Sequence, residues 1–184
     1  RALSRGAAEA GCWLDTGEGG LSPYHLEGGC DIIMQIGTAK YGVRDADGKL
    51  SPQRLKELAA HENVRAFEIK LSQGAKPGKG GVLPGGKVTA EIAAIRGIPE
   101  GQDSISPNRH RDIATADELI ERIAYVRDIT GKPVGIKTAI GGWQFMNALC
   151  EAVARRGMAF APDFIAVDGG EGGFLTFPEE SGGL

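Results

Sequence analysis

Apolar positions along this chain switch repeatedly between the continuous runs of buried strands and the i, i+3, i+4 spacing of amphipathic helices. Residues 2–10 read as helical with Gly11 as the stop, and Cys12-Trp13-Leu14 reads as a short buried strand. Residues 32–36 and 41–43 are strand-like pieces around a glycine. Ser51 followed by Pro52 starts a helix to about His61, whose core side is Leu55, Leu58 and Ala59. Residues 64–71 form the next strand, and Thr89 opens a helix through Ile92, Ile95 and Arg96. The strongest helical pattern covers residues 115–130. There Thr115 and Glu118 make a capping box, and Leu119, Ile120, Ile123 and Val126 form one apolar stripe that ends at Gly131. A strand at 134–139, a helix at about 143–156 carrying Phe145, Leu149 and Val153, and a last strand at 164–167 follow.

Short apolar strands separated by helices predict a parallel sheet covered by helices. Two architectures satisfy that order, a (β/α) barrel and an open doubly wound sheet. Polar, chemically capable residues follow four strands: Glu18, Lys70, Lys137 and Glu171. A barrel gathers many strand ends around one centre, whereas an open sheet focuses on a single crevice. The predicted fold is therefore α/β, of the (β/α)8 TIM-barrel type. Only five or six strands can be counted and the chain begins inside a helix, so the barrel is expected to be incomplete, lacking its first strand and its last two or so. Unpaired edges and a wet interior would leave such a piece poorly stable by itself.

Composition narrows the class further. The 184 residues suffice for one core, and a hydrophobic content of 41% with 24% charged residues is that of a soluble globular domain. A net charge of −3 and 6% aromatics point away from nucleic acid and from an anionic membrane surface. No apolar run reaches the length of a membrane span, and residues 1–11 lack a signal peptide's apolar centre, so the cytoplasm is the expected compartment. Cys12, Cys30 and Cys150 are odd in number and widely spaced, with neither a disulfide nor a metal-ligand pattern. No metal site is predicted. The 29 glycines cluster between apolar runs, where they mark tight loops and close ligand approach.

The segment Glu68-Ile69-Lys70-Leu71-Ser72-Gln73-Gly74-Ala75-Lys76-Pro77-Gly78-Lys79-Gly80-Gly81 ends an apolar strand in a loop of lysines and glycines. Backbone N–H and ammonium groups there can approach an anion without steric obstruction. An anionic cofactor or substrate site is the functional reading, and a solvated turn the bland one. Lys79, among glycines at the loop's end, reads as solvated. Glu18 lies in Asp15-Thr16-Gly17-Glu18-Gly19-Gly20 after the first visible strand, where a carboxylate is usually solvated or a helix cap. Lys137 ends the strand Val134-Gly135-Ile136-Lys137, either at a ligand or in an ion pair with a carboxylate such as Asp168. His110, in Ser106-Pro107-Asn108-Arg109-His110, suits a helix cap as well as a catalytic acid.

Taken in order, the blocks at 15–20, 68–78, 105–110 and 168–173 resemble the FMN-binding synthase domain of glutamate synthase and its large-subunit-related relatives. The likeness runs over residues 1–173, with 174–184 as a divergent tail. The resemblance implies an FMN-binding (β/α) barrel that makes L-glutamate from 2-oxoglutarate and ammonia through 2-iminoglutarate, with hydride from the reduced flavin. It implies catalytic roles for Glu18 and Lys70, a dicarboxylate site at Gln73, Lys76 and Arg96, and flavin contacts at Lys137, Asp168, Gly169, Gly170, Gly172 and Gly173. An electron-donor protein or subunit is an implied partner, and an iron–sulfur cluster is implied only for a full-length protein. Val82 departs from the pattern: full-length glutamate synthases carry a substrate-binding glutamine there, and relatives without an amidotransferase domain often carry an aliphatic residue. The tail, Phe174 onward, also departs, and reads as truncation or a shifted frame. A truncated, inactive remnant with residual ligand binding is the alternative function. Cys30 in Gly28-Gly29-Cys30 superficially fits the catalytic cysteine of an inosinate-dehydrogenase-like barrel, but its flanks do not.

Overall fold

A computed structural model describes residues 1–75 and 80–169. In chain order the elements are α1 (Ala2–Ala10), β1 (Leu14–Asp15), α2 (Pro23–Leu26), β2 (Ile32–Ile36), α3 (Pro52–Ala59), β3 (Val64–Lys70), β4 (Gly81–Leu83), α4 (Ala90–Arg96), β5 (Ser104–Ser106), α5 (Ala116–Thr130), β6 (Val134–Thr138), α6 (Trp143–Arg156) and β7 (Ile165–Val167). Five strands form one parallel sheet in the order β1-β2-β3-β6-β7, and β4 and β5 form a separate antiparallel pair. Sheet order follows chain order. A doubly wound sheet reverses direction at a switch point; among the described residues this one does not, and it curls into a parallel half-barrel.

Alternation along the strands gives the sheet two different faces. Ile32, Met34 and Ile36 of β2, Phe67 and Ile69 of β3, and Val134 and Ile136 of β6 join Leu55, Leu58, Leu119, Ile120, Ile123 and Leu149 of the helices in one core. The register pairs Gln35 with Glu68 and Lys70 with Lys137, so these polar residues share the opposite face. A register shift between Ile32 and Ile33 lets both Val64 and Phe67, an odd number of residues apart, reach the helix side. At Gly135 on the polar face there is no room for a side chain: a Cβ would lie 2.4 Å from the Phe164 ring.

Local signals place the helices. Ser51 accepts a hydrogen bond from the Arg54 amide and Thr89 one from the Ile92 amide, capping α3 and α4. Thr115 and Glu118 form the expected capping box of α5, and Gly131 ends that helix in the left-handed region. Leu119, Ile120, Ile123 and Val126 are all buried, as their stripe predicts.

Three expectations about local structure need correction. Residues 12–14 are not a buried strand: Cys12 is exposed, Trp13 is 69% exposed, and only Leu14–Asp15 pairs, with β2 as its one neighbour among the described residues. Residues 41–43 are buried but form a turn, because Lys40 and Gly42 have positive φ and Gly42 lies against Gly20. His110 caps no helix; it is buried beneath the end of β3. The β4–β5 pair is additional, since three-residue strands joined across an intervening helix carry no periodic signal. Cys30 is buried ahead of β2, at the amino end of its strand, whereas ligands of such sheets gather at the carboxyl ends.

The core makes a direct prediction. Ile123→Ala, which empties a fully buried position on α5, should cost about 2–5 kcal/mol in denaturant unfolding. Leu3→Ala, at a position 76% exposed, should change stability by no more than about 0.5 kcal/mol.

Candidate active site

Three loops at the carboxyl ends of the strands converge over the polar face. The loop after β1 presents Glu18, the loop after β2 presents Thr38, and the end of β3 presents Lys70, Ser72 and Gln73. The Lys70 ammonium donates to Glu18 Oε2 at 3.0 Å and to Gln73 Oε1 at 2.7 Å. From the hairpin, Ser106 Oγ reaches Glu18 Oε1 at 3.5 Å and accepts from the Gly81 amide at 3.0 Å. One concavity is lined by these residues together with Thr38 and Asn108.

A second ion pair stands beside the first. Lys70 and Lys137 are register partners on adjacent strands, and Lys137 Nζ lies 3.4 Å from Asp168 Oδ1. The other Asp168 oxygen accepts from the Gly74 amide at 2.9 Å, which ties the loop after β3 to the end of β7. Gly74 is required there, because a Cβ would sit 1.8 Å from the Gly169 carbonyl oxygen. Ser72 and Thr138 make a further link at 3.2 Å.

Arg96, on α4, stands beside Gly19 of the loop after β1 but does not line this concavity. Its guanidinium donates to Ser104 Oγ at 3.0 Å and lies 4.7 Å over the Tyr41 ring, while a Cβ on Gly19 would be 3.9 Å from it. Gly42 N donates to the Arg96 carbonyl, anchoring the helix end to the loop after β2. Val82 does not face this group. It is paired with Ile105 on the exposed side of the hairpin, opposite Gly81 and Ser106.

His110 is buried, and its Nε2–H donates to the Lys70 carbonyl at 2.9 Å. Burial pulls its pKa below the ordinary imidazole range, with the bond to Lys70 only partly opposing. A neutral ring that holds the end of β3 is the result. Behind it, Lys40 and Arg122 both pair with Asp112, at 2.9 and 3.0 Å.

Sequence reasoning overlooked the layer below. Glu68 is only 4% exposed, and its Oε1 accepts from Gln35 Nε2 at 2.8 Å; the same amide reaches Asp15 Oδ1 at 3.3 Å. Burial, and next the charge of Asp15, push the Glu68 carboxyl up to about 7 against the pull of Gln35 and Lys137. Its place in a strand two residues before Lys70 was the available signal, because period-2 alternation puts both on one face. Among the predicted site residues, Glu18, Lys70, Gln73, Arg96, Lys137, Asp168 and Gly169 are thus gathered at one end of the sheet. Lys76, Gly170, Gly172 and Gly173, with Glu171, lie outside the described residues. No group of three or more metal-ligating side chains occurs among the described residues.

Comparison with known proteins gives a concordant result. Residues 1–181 match the family described as the conserved region in glutamate synthase. A glutamate synthase large subunit-like protein of Bacillus subtilis is 44% identical over 173 residues, covering 94% of this chain and 32% of its own length. An archaeal glutamate synthase [NADPH] of Methanocaldococcus jannaschii is 38% identical over 180 residues, covering 96% of this chain and 31% of its own. A large subunit-like protein of Rhizobium meliloti is 32% identical over 174 residues, with 94% and 35% covered. The chain therefore spans about a third of the length of the curated relatives it matches.

The buried carboxyl sets a pH dependence whose sign follows from linkage. Glu68 holds its proton more tightly folded than unfolded, so folding takes up a proton between the ordinary value of 4.5 and about 7. Its contribution is most favourable below pH 4.5, declines as pH rises, and levels off above about 7. Glu68→Gln should remove that slope. Between pH 5 and pH 8 the stability difference, variant minus wild type, should shift in the variant's favour by about 1–3 kcal/mol. Paired thermal or denaturant melts measure this, and a difference that stays constant with pH refutes it.

Proposed function

This chain belongs to the glutamate synthase family, and from that premise we propose that its site serves an FMN-dependent oxidoreductase converting 2-oxoglutarate and ammonia, through 2-iminoglutarate, to L-glutamate. One observation carries the reading: Glu18, Lys70 and Gln73, from two separate strand ends, meet within hydrogen-bond distance beside Lys137 and Asp168. The whole protein would be cytoplasmic and would complete a (β/α)8 barrel around this half-wall. An electron-donor protein or subunit would serve it, and any iron–sulfur cluster would be held outside the residues described here.

The residues present fit a flavin mononucleotide. Adjacent strands bring two ammonium groups to one face, and the Gly74–Gly169 approach leaves backbone where a side chain would obstruct. Lys137, Asp168 and Gly169 would hold the cofactor together with Gly170, Gly172 and Gly173. When bound, it supplies the hydride for the imine carbon.

The remaining work falls to this chain's side chains. Lys70, Gln73 and Lys76 would bind and orient the 2-oxoglutarate carboxylates, and Arg96 would present its planar fork to one of them. Addition of ammonia to the keto carbon is followed by loss of the carbonyl oxygen as water, which requires a proton at that oxygen. Glu18 is the carboxyl to carry it, and its contact with Lys70 holds it at the mouth. Reduction of the imine carbon then yields the amino acid.

In the full-length protein, Lys70→Gln and Lys76→Ala should each weaken 2-oxoglutarate binding by roughly ten- to a hundredfold, the loss of a charged hydrogen bond, while the flavin content read from visible absorbance stays that of wild type. Equal losses of both ligands would show that the lysine loop serves the cofactor instead.

A further inference from the structure

The polar face has a second tier that the proposed chemistry does not use. Asp15, Gln35 and Glu68 lie on three neighbouring strands, directly under the mouth, and are joined by one amide group. Gln35 Nε2 donates to Glu68 Oε1 at 2.8 Å and to Asp15 Oδ1 at 3.3 Å. That same Asp15 oxygen accepts from the Gly17 amide at 2.6 Å. Gln35 contributes a further tie through its backbone, whose N–H donates to Thr16 Oγ1 at 3.0 Å. Residues 15–17 are thereby held from below by β2 and β3, and the next residue is Glu18.

We propose that Glu68 is a positioning residue, which acts through Gln35 and Asp15 to hold the turn that presents Glu18 to Lys70. The Glu18 side chain is hydrogen-bonded by Lys70 and Ser106, and the Thr16 amide donates to the Ile33 carbonyl at 3.0 Å, but neither contact fixes the Asp15 carboxylate that receives the Gly17 amide. A short glycine-bounded turn, with Gly17 at φ 65, has little stiffness of its own. Its shape depends on the Asp15 carboxylate staying in place.

With Glu68 buried and Asp15 held by the same Gln35 amide, ionising Glu68 as well is costly. Neither Asp15 nor Glu68 has an ammonium or guanidinium partner within 4.0 Å among the described residues. The charged groups sharing the face are Lys70 on the same strand and Lys137 on β6, with Glu18 and Asp168 on the loops above, and the titratable His25 of α2 also acts on Asp15. The two lysines are engaged by those loop carboxylates, and β2 offers only the neutral Gln35 amide. The stable arrangement keeps a proton on Glu68, whose carboxyl burial and the facing Asp15 both push upward. A carboxylic acid O–H on Glu68 then bonds to Asp15, while its other oxygen keeps the bond from Gln35. Loss of that proton sets two carboxylates against each other, and the turn at 15–17 loosens. Positioning of Glu18 is thus tied to pH near neutrality.

Glutamine reproduces the protonated form, since its N–H2 can donate to Asp15 and its oxygen can accept from Gln35. Leucine has neither group. Hydrogen–deuterium exchange of the ligand-free, full-length protein, corrected for intrinsic rates, separates the cases. In wild type, exchange in the peptide covering residues 14–20 should be slow at pH 6 and roughly three- to tenfold faster at pH 8. Glu68→Gln should be slow at both values, and Glu68→Leu fast at both, with α5 unchanged throughout. The proposal is overturned if Glu68→Gln exchanges as fast as Glu68→Leu, if Glu68→Leu leaves the 14–20 peptide at the wild-type rate, or if α5 accelerates equally. Should Glu68→Leu not fold, the pH comparison of wild type with Glu68→Gln decides alone: a wild-type rise absent from the variant supports it, and equal behaviour overturns it.

The consequence for substrate rests on the reading given above. Glu68→Leu should raise the 2-oxoglutarate Kd several-fold, and should add nothing in a Glu18→Gln background. A protein whose exchange follows the expected pattern but which binds no 2-oxoglutarate upholds the positioning role and refutes the substrate assignment.

Discussion

Charges on the inner face of a curled parallel sheet have little water to turn to, so each must find a partner on another strand or on the loop above it. That requirement organises this molecule. The outer face meets the helices through aliphatic and aromatic side chains and is insensitive to which partner sits where, provided volume is filled. The inner face is different: Lys70 has Glu18 and Gln73, Lys137 has Asp168, and Glu68 has Gln35 and Asp15. Except for Lys70–Gln73, which is local to the end of β3, each partnership crosses strands. The network therefore measures whether the sheet is in register, and it concentrates polar groups at one end of it.

This partnering also explains the glycines that matter. Loops after β1, β2, β3 and β7 crowd together above the sheet and touch backbone to backbone in two pairs, Gly20 against Gly42 and Gly74 against Gly169. Side chains there would push the loops apart and break the ion pairs that they carry. Other glycines end helices, as at Gly11 and Gly131, or make room for a neighbour, as Gly135 does for the Phe164 ring. Close approach at the mouth keeps Glu18, Lys70 and Asp168 together at one end of the sheet.

Much of the scaffold was legible in the linear pattern, because caps, stops and apolar stripes act within a few residues. Helices α3, α5 and α6 and strands β2, β3 and β6 start or stop within two or three residues of where spacing puts them. The misread pieces share a cause. Trp13 and the 41–43 turn have apolar composition without the neighbours that would make them strands. At Lys40 and Gly42 a tertiary contact sets the backbone against local preference. Glu68 was passed over because the neighbours that set its chemistry, Gln35 and Asp15, are known only from the sheet register.

The sequence by itself determined the alternation of strands and helices, the glycine-rich loops at strand ends and the motif order that marks the family, since all of these are local or additive along the chain. Only the tertiary structure decided who meets whom. Glu18 and Lys70 are 52 residues apart, and Gly74 and Asp168 are 94 apart. Such pairings depend on strand order and register, which are settled by the fold as a whole. The ionisation of Glu68 belongs to the same class, because the burial and the neighbouring Asp15 that move it exist only once β1, β2 and β3 lie side by side.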